Sequence, residues 1–162
     1  NDNLVYFGEH KNSYITILYI DLDNFKYYND TFGHDVGDMV LQEFTNVMKT
    51  TIGEKGYCSR FGGDEFVLLL VDADEKVGEV VAKNIFHEIR KANYFINKVE
   101  EILEMDVTID QKSKIACSIG IADTKLFDTI DINDVLKRAD LALYHVKNTT
   151  KQGYELWSNL NY

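Results

Sequence analysis

Tyr57 to Val71 reads YCSRFGGDEFVLLLV. Two strand-like runs, Tyr57 to Phe61 and Glu65 to Val71, are divided there by Gly62-Gly63-Asp64. Paired glycines reach the positive φ angles that a tight connection uses, so the stretch predicts a β-hairpin. Its tip carries two acids, Asp64 and Glu65, beside backbone that bears no side chain to hold a ligand away. Phe61 and Phe66 are expected to pack on either side of the turn, which a merely solubilising tip would not need.

Working outward, Tyr14 to Ile20 (YITILYI) is a β-branched and aromatic run ending at Asp21, and predicts a buried strand. Val36, Val40, Leu41, Phe44, Val47 and Met48 recur at helical spacing up to Gly53. Beyond the hairpin, Val77, Val80, Val81, Ile85, Ile89, Ala92, Ile96 and Val99 predict one long helical stripe. Lys114 to Ala122 (KIACSIGIA) predicts another buried strand, Asp131 to Lys147 a helix capped by Asp131, and Tyr154 to Trp157 a short last strand. The order β-α-α-β-β-α-β-α-β predicts an α+β sheet with helices packed on it.

At 162 residues, 45% apolar and 12% aromatic, the chain suits one compact domain with a sizeable core. Its longest apolar run, Phe66 to Val71, falls far short of the roughly 20 residues that span a bilayer, and the polar N-terminus has no signal-peptide pattern. Acids outnumber Lys and Arg 27 to 17, for a formal charge of −10, which excludes the basic footprint of a nucleic-acid binder. Such a surplus is still compatible with a polyphosphate ligand if divalent ions sit between carboxylate and phosphate. Cys58 and Cys117 lie outside any C-x-x-C spacing and read as reduced core thiols.

Asp21 and Asp23 present two carboxylates and the Leu22 carbonyl at one corner, the hard oxygen ligands that divalent cations take. Carboxylates after a strand also cap helices, so the pair alone decides little. Were the strand adjacent to the hairpin, Asp21 and Asp64 would meet across the sheet, as carboxylates do around a metal that activates a hydroxyl. Asn24, Phe25 and Lys26 open a short segment whose backbone amides suit phosphate oxygens, with Lys26 as a point charge. Asn29, His34 and Asp38 follow, the last two sharing a helix face, and an acid with an amide can read a base that offers donors and acceptors, as guanine does. Arg138, beside Lys137, either reaches a terminal phosphate or pairs at the surface with Asp134 or Asp140.

These stretches together resemble the GGDEF family of diguanylate cyclase domains. The signature stands intact as Arg60-Phe61-Gly62-Gly63-Asp64-Glu65-Phe66. The family's pattern Asp-x-Asp-x-Phe-Lys-x-x-Asn-Asp-x-x-Gly-His-x-x-Gly-Asp is matched from Asp21 through Asp38 at every fixed position. Ser118 to Ala122 and Arg138 to Tyr144 also resemble it, so the likeness covers nearly the whole chain.

The resemblance implies a central, mostly antiparallel sheet flanked by helices, with the ferredoxin-like core of nucleotide cyclases and polymerase palms. It implies that two GTP are condensed into cyclic di-GMP with release of pyrophosphate, using two Mg²⁺ or Mn²⁺ per active site. Asp21, the Leu22 carbonyl and Asp64 would hold metal, with Asp64 also accepting the proton of the attacking 3′-hydroxyl and Glu65 in the same cluster. Lys26 would stabilise the transition state, Asn24 and Phe25 would meet phosphates, and Asn29, His34 and Asp38 would line the guanine pocket. Two domains would have to face each other as a homodimer, so an isolated domain is expected to be feeble. A sensor domain would be attached, and the setting would be cytoplasmic, free or as the cytoplasmic part of a membrane-anchored protein.

Three departures stand out. Gly53-Glu54-Lys55-Gly56 replaces the family's Arg-x-x-Asp before the hairpin, so product inhibition through that motif is expected to be absent. Asp134 sits where many members carry a base. The opening Asp-x-Leu-Thr-Gly-Leu-x-Asn-Arg segment is missing, so residues 1–162 are expected to be a single domain excised from a longer signalling protein. A non-catalytic GTP-binding module is the rival reading, opposed by intact Asp21, Lys26, Asp64 and Glu65, and an adenine-using relative is opposed by Asp38.

Overall fold

Five strands form one mixed sheet in the computed structural model, which describes residues 14–91, 93–125 and 131–160. Strand β1 (Tyr14–Asp23) lies at its centre, because its residues are apolar towards both faces: Ile17, Leu18, Ile20 and Leu22 are all buried. Helices α1 (Phe25–Phe32) and α2 (His34–Ile52) follow, then the hairpin of β2 (Gly56–Gly62) and β3 (Glu65–Val71). Helices α3 (Glu75–Ile89) and α4 (Tyr94–Leu103) lead to β4 (Ala116–Lys125), α5 (Ile132–Asn148) and β5 (Tyr154–Leu156). Strand order is β2-β3-β1-β4-β5, antiparallel except for the parallel β4–β5 pair. The expected α+β architecture is the one observed.

Side chains alternate across a strand, and that alternation decides where the chemistry sits. Leu18, Ile20 and Leu22 of β1, with Leu68 and Leu70 of β3 and Ile119 and Ile121 of β4, join the large core beneath α1 to α4. Ile17, Val67 and Ala122 point the other way and meet Val135 and Ala139 of α5. The second face is thus covered by one helix, and the register sends Tyr19, Asp21 and Asp23 to it. Helix α5 can lie close only because β4 has Gly120 there: a Cβ at that position would sit 2.0 Å from the Ala139 carbonyl oxygen and 2.3 Å from the Leu143 nitrogen.

Several expectations need correction. Strand β1 continues through Asp23, so Asp21 and Asp23 are strand residues and not a corner beyond it. The long stripe divides into α3 and α4, with Asn93 in the left-handed region at φ 59°, and its members Val77 and Val80 are exposed; Ala92 lies outside the described residues. Gly62 and Gly63 do not adopt positive φ; the β2–β3 connection instead absorbs a register shift between Arg60 and Gly62. Phe66 is fully buried against Phe44, at 5.3 Å between ring centroids, whereas Phe61 is 53% exposed and touches Tyr19 edge-on. No helix among the described residues is long and apolar enough to cross a membrane.

Candidate active site

Pairing of β1 with β3 sets Asp21 opposite Glu65, and the Leu22 N–H donates to the Asp64 carbonyl at 2.9 Å. The hairpin tip and the end of β1 therefore form one ledge on the face that α5 only partly covers. Asp21 is buried, and its carboxylate pairs with the ammonium of Lys147 from the last turn of α5. Asp23 accepts a hydrogen bond from Ser118 Oγ at 2.8 Å, and Glu65 accepts one from the Tyr19 hydroxyl at 3.1 Å.

Burial first, and neighbouring acids second, oppose the ionisation of three carboxyls here, Asp23, Asp64 and Asp140. Burial pushes the Asp23 carboxyl above the usual carboxylate range, against the Ser118 hydrogen bond and with help from Asp64. Asp64 is raised too, first by burial and then by Glu65, while its own backbone amide and Arg60 oppose the shift. On α5, Asp140 is raised by burial and by Glu65. The Tyr19 phenol is pushed up to about 12 by burial and by Glu65 beside it. The ledge is short of positive charge.

A second group of residues surrounds α1. Asn24 opens the helix in the left-handed region at φ 71°, and no side chain caps that end. Its amide is committed elsewhere, donating to the carbonyls of Lys114 at 2.7 Å and Lys112 at 3.0 Å. Phe25 packs partly into the core and Lys26 is exposed. Asn29 Oδ1 lies 3.3 Å from His34 Nδ1, and Gly37 leaves the room Asn29 needs, since a Cβ there would meet Oδ1 at 2.3 Å. Asp38 is exposed on α2, one turn beyond His34. The structure thus brings Asn29 against His34 at the junction of α1 with α2.

A sequence profile described as diguanylate cyclase, GGDEF domain, matches residues 3–153. The chain belongs to the GGDEF family. It is 33% identical over 153 residues to the signaling protein YkoW of Bacillus subtilis, covering 93% of this chain and 17% of that protein. Diguanylate cyclase A of Treponema denticola is 32% identical over 153 residues, covering 94% of this chain and 37% of that protein. The chain thus spans less than half the length of these relatives. Among solved structures, the active GGEEF domain of a diguanylate cyclase from Vibrio cholerae superposes with a TM-score of 0.75 at 25% identity, covering 96% of this chain and 90% of that one.

In this GGDEF domain no three acidic, His or Cys side chains among the described residues converge closely enough to hold a metal by themselves. The donor chemistry nevertheless fits a hard cation. Asp21 and Leu22 of β1 offer a carboxylate and a carbonyl and Asp64 a carboxylate from the adjoining hairpin turn, and Asp21 already draws a positive group, Lys147.

Arg138 is placed differently from the other candidates. Its guanidinium stacks on the Trp157 ring, 4.3 Å from the centroid, and it forms no ion pair with Asp134 or Asp140 among the described residues. Lys147 is the α5 cation that reaches the ledge. Sequence reading passed over it because a lysine in the last turn of a helix reads equally as a partner of the helix dipole. Ser118, Tyr19 and Asp140 were also missed, and only the β1–β4 and β1–α5 contacts bring them in. Gly37 could have been found, as a glycine inside a helix that needs a reason to be there.

Proposed function

We propose that this GGDEF domain is a diguanylate cyclase that condenses two GTP into cyclic di-GMP, each domain of a facing pair supplying one nucleotide. The observation that carries this reading is the β1–β3 register, which sets Asp21 beside Glu65 and ties Leu22 to Asp64 on a ledge short of positive charge. Bound Mg²⁺ or Mn²⁺ would supply Lewis acidity and neutralise phosphate charge there, held by Asp21, the Leu22 carbonyl and Asp64. Asn29, His34 and Asp38 hold the guanine, with Asp38 accepting from N1–H and the exocyclic amine. The uncapped amides at the start of α1 and the Lys26 ammonium hold phosphate oxygens.

Asp64 takes the proton from the 3′-hydroxyl of its own GTP, an acceptor role open to a carboxylate at the hairpin tip. The freed oxygen attacks the α-phosphorus of the GTP on the facing domain, and the bond to the leaving pyrophosphate breaks. Repeating the step in the other direction closes the ring. Labelled GTP incubated with Mg²⁺ should give cyclic di-GMP and two pyrophosphates. Asp64→Asn should cut the rate by about 10³-fold or more with the fold unchanged, since proton acceptance and metal charge are lost together. Turnover by a well-folded Asp64→Asn domain at the rate of the unaltered chain would refute the assignment.

A further inference from the structure

Behind the ledge, α1, the α3–α4 junction and the start of β4 enclose a cavity of about 310 Å³ that the cyclase reading does not use. Its size falls at the small end of the ~300–1,000 Å³ range of ligand pockets. Phe86, Ile89, Phe95 and Ile115 give it an apolar wall, and all four are buried. Arg90 and Lys114 bring cations to that wall on a chain whose net charge is −10, and neither forms an ion pair among the described residues. Arg90 instead lies over the Phe86 ring, 5.2 Å from its centroid.

Tyr28 adds an independent sign. Its ring lines the cavity, the side chain is fully buried, and its hydroxyl, although the Ile115 backbone N–H lies against the oxygen, finds no acceptor for its own proton among the described residues. The nearby Ile115 backbone opposes, without offsetting, the rise to about 12 that burial causes. A buried hydroxyl without an acceptor is rare in a folded domain and is relieved by a ligand that supplies one.

Two hydrogen-bond chains tie this wall to the ledge. Asn24, at the start of α1, donates to the carbonyls of Lys112 and Lys114, so the segment that lines the cavity also fixes the turn that precedes Lys26. Gln152, also on the wall, donates its backbone N–H to Ser118 Oγ at 3.2 Å, and Ser118 donates to Asp23. An occupant that shifts the wall must shift one of these contacts.

We infer that the cavity between α1, α3, α4 and β4 is a regulatory site for a small organic anion, a carboxylate or sulfonate on a flat aromatic body, and that its occupancy alters nucleotide binding. The apolar wall takes the body, Arg90 and Lys114 take the charge, and the Tyr28 hydroxyl donates to the anion. The regulatory part rests on the ledge being a GTP site; the binding part does not.

The test uses 1-anilinonaphthalene-8-sulfonate, whose rings and single charge match the cavity. Its fluorescence should saturate at one probe per chain. Arg90→Gln with Lys114→Gln should weaken binding at least tenfold, and Tyr28→Phe severalfold, because charge-assisted and phenolic hydrogen bonds are removed without changing shape. Filling the cavity with Ile96→Trp should abolish binding, with circular dichroism melting showing that each variant folds. Asp64→Asn should bind the probe as the unaltered chain does. Probe binding that is unchanged in the charge-removed and filled variants, or that never saturates, overturns the site. With the probe saturating, the Kd of a non-hydrolysable GTP analogue should change at least fivefold in either direction. Probe binding that leaves this Kd unchanged overturns the regulatory role. An analogue that never binds would instead refute the nucleotide reading while the probe titration stood.

Discussion

Asp21 is a buried carboxylate whose counter-charge comes from Lys147. The lysine side chain is 44% exposed, so water shares in solvating the pair and its worth lies well below that of a fully buried ion pair. Lys147→Met should therefore lower stability by roughly 1–2 kcal/mol, because it strands a desolvated charge on Asp21. Urea denaturation at neutral pH would show this as a lower midpoint, and Mg²⁺ should recover much of the loss by supplying another counter-charge. A midpoint equal to that of the unaltered chain would mean the pair contributes nothing. At this scale the close of an apolar run and a glycine turn are local signals that pointed to Asp21, Asp64 and Glu65, and the structure sets Asp21 opposite Glu65. Ser118 was not legible, since its bond to Asp23 joins residues 95 positions apart. Arg138 and Lys147 sit on one helix, and only its orientation over β4 sends one to Trp157 and the other to Asp21.

The ledge formed by β1 and the hairpin behaves as a unit when pH changes. Asp23 and Asp64 both hold their protons to higher pH in the folded chain than the ordinary value of 3.8 that describes them unfolded. As pH rises from 3.8 through the raised values, the unfolded chain ionises first, so stability drawn from the protonated forms is lost across that window. If Mg²⁺ is held by ionised Asp64, the rise in Tm that it causes should be absent below pH 3.8, grow across the window and be full above it. A Tm increment that does not vary with pH, or that survives Asp64→Asn undiminished, would separate metal binding from these carboxylates. Glycines supply the other element-scale test. Gly63→Ala should leave stability within about 0.5 kcal/mol, because its Cβ meets nothing within 4 Å. Gly120→Ala should cost roughly 2–3 kcal/mol, since helix α5 must move off β4 to make room. Thermal melts of the two variants compare them directly. The hairpin and its strand lengths were readable from composition, but the conformation of its glycines was not. A Gly-Gly pair permits positive φ without requiring it, and here Gly63 and Asp64 turn the chain between the paired Gly62 and Glu65, with the register shift between Arg60 and Gly62 just before them.

For the whole molecule, alternation of apolar runs made the α+β class and the order of elements legible except for the break between α3 and α4, whereas strand order was not, since no local signal says that β1 enters between β3 and β4. Net charge was legible as well, and it bears on assembly. If each domain holds one GTP, catalysis needs an encounter between two chains of charge −10 apiece, and the acidic ledges are the surfaces that must face each other. Like charges slow such an encounter at low salt, and screening relieves them once the Debye length falls to about 10 Å near 0.1 M ionic strength. Activity per domain should therefore rise in proportion to protein concentration while sedimentation shows mainly monomer. At fixed concentration and fixed Mg²⁺, raising NaCl from near zero to about 0.15 M should increase the rate severalfold, the reverse of what salt does to a single chain attracting its anionic nucleotide through cations. Asp64→Asn mixed with the unaltered chain should lower the rate per active domain, because mixed pairs complete only one of the two bonds. An activity per domain that stays constant through a hundredfold dilution of a sedimenting monomer, and that falls with added salt, would show that one domain does the chemistry alone.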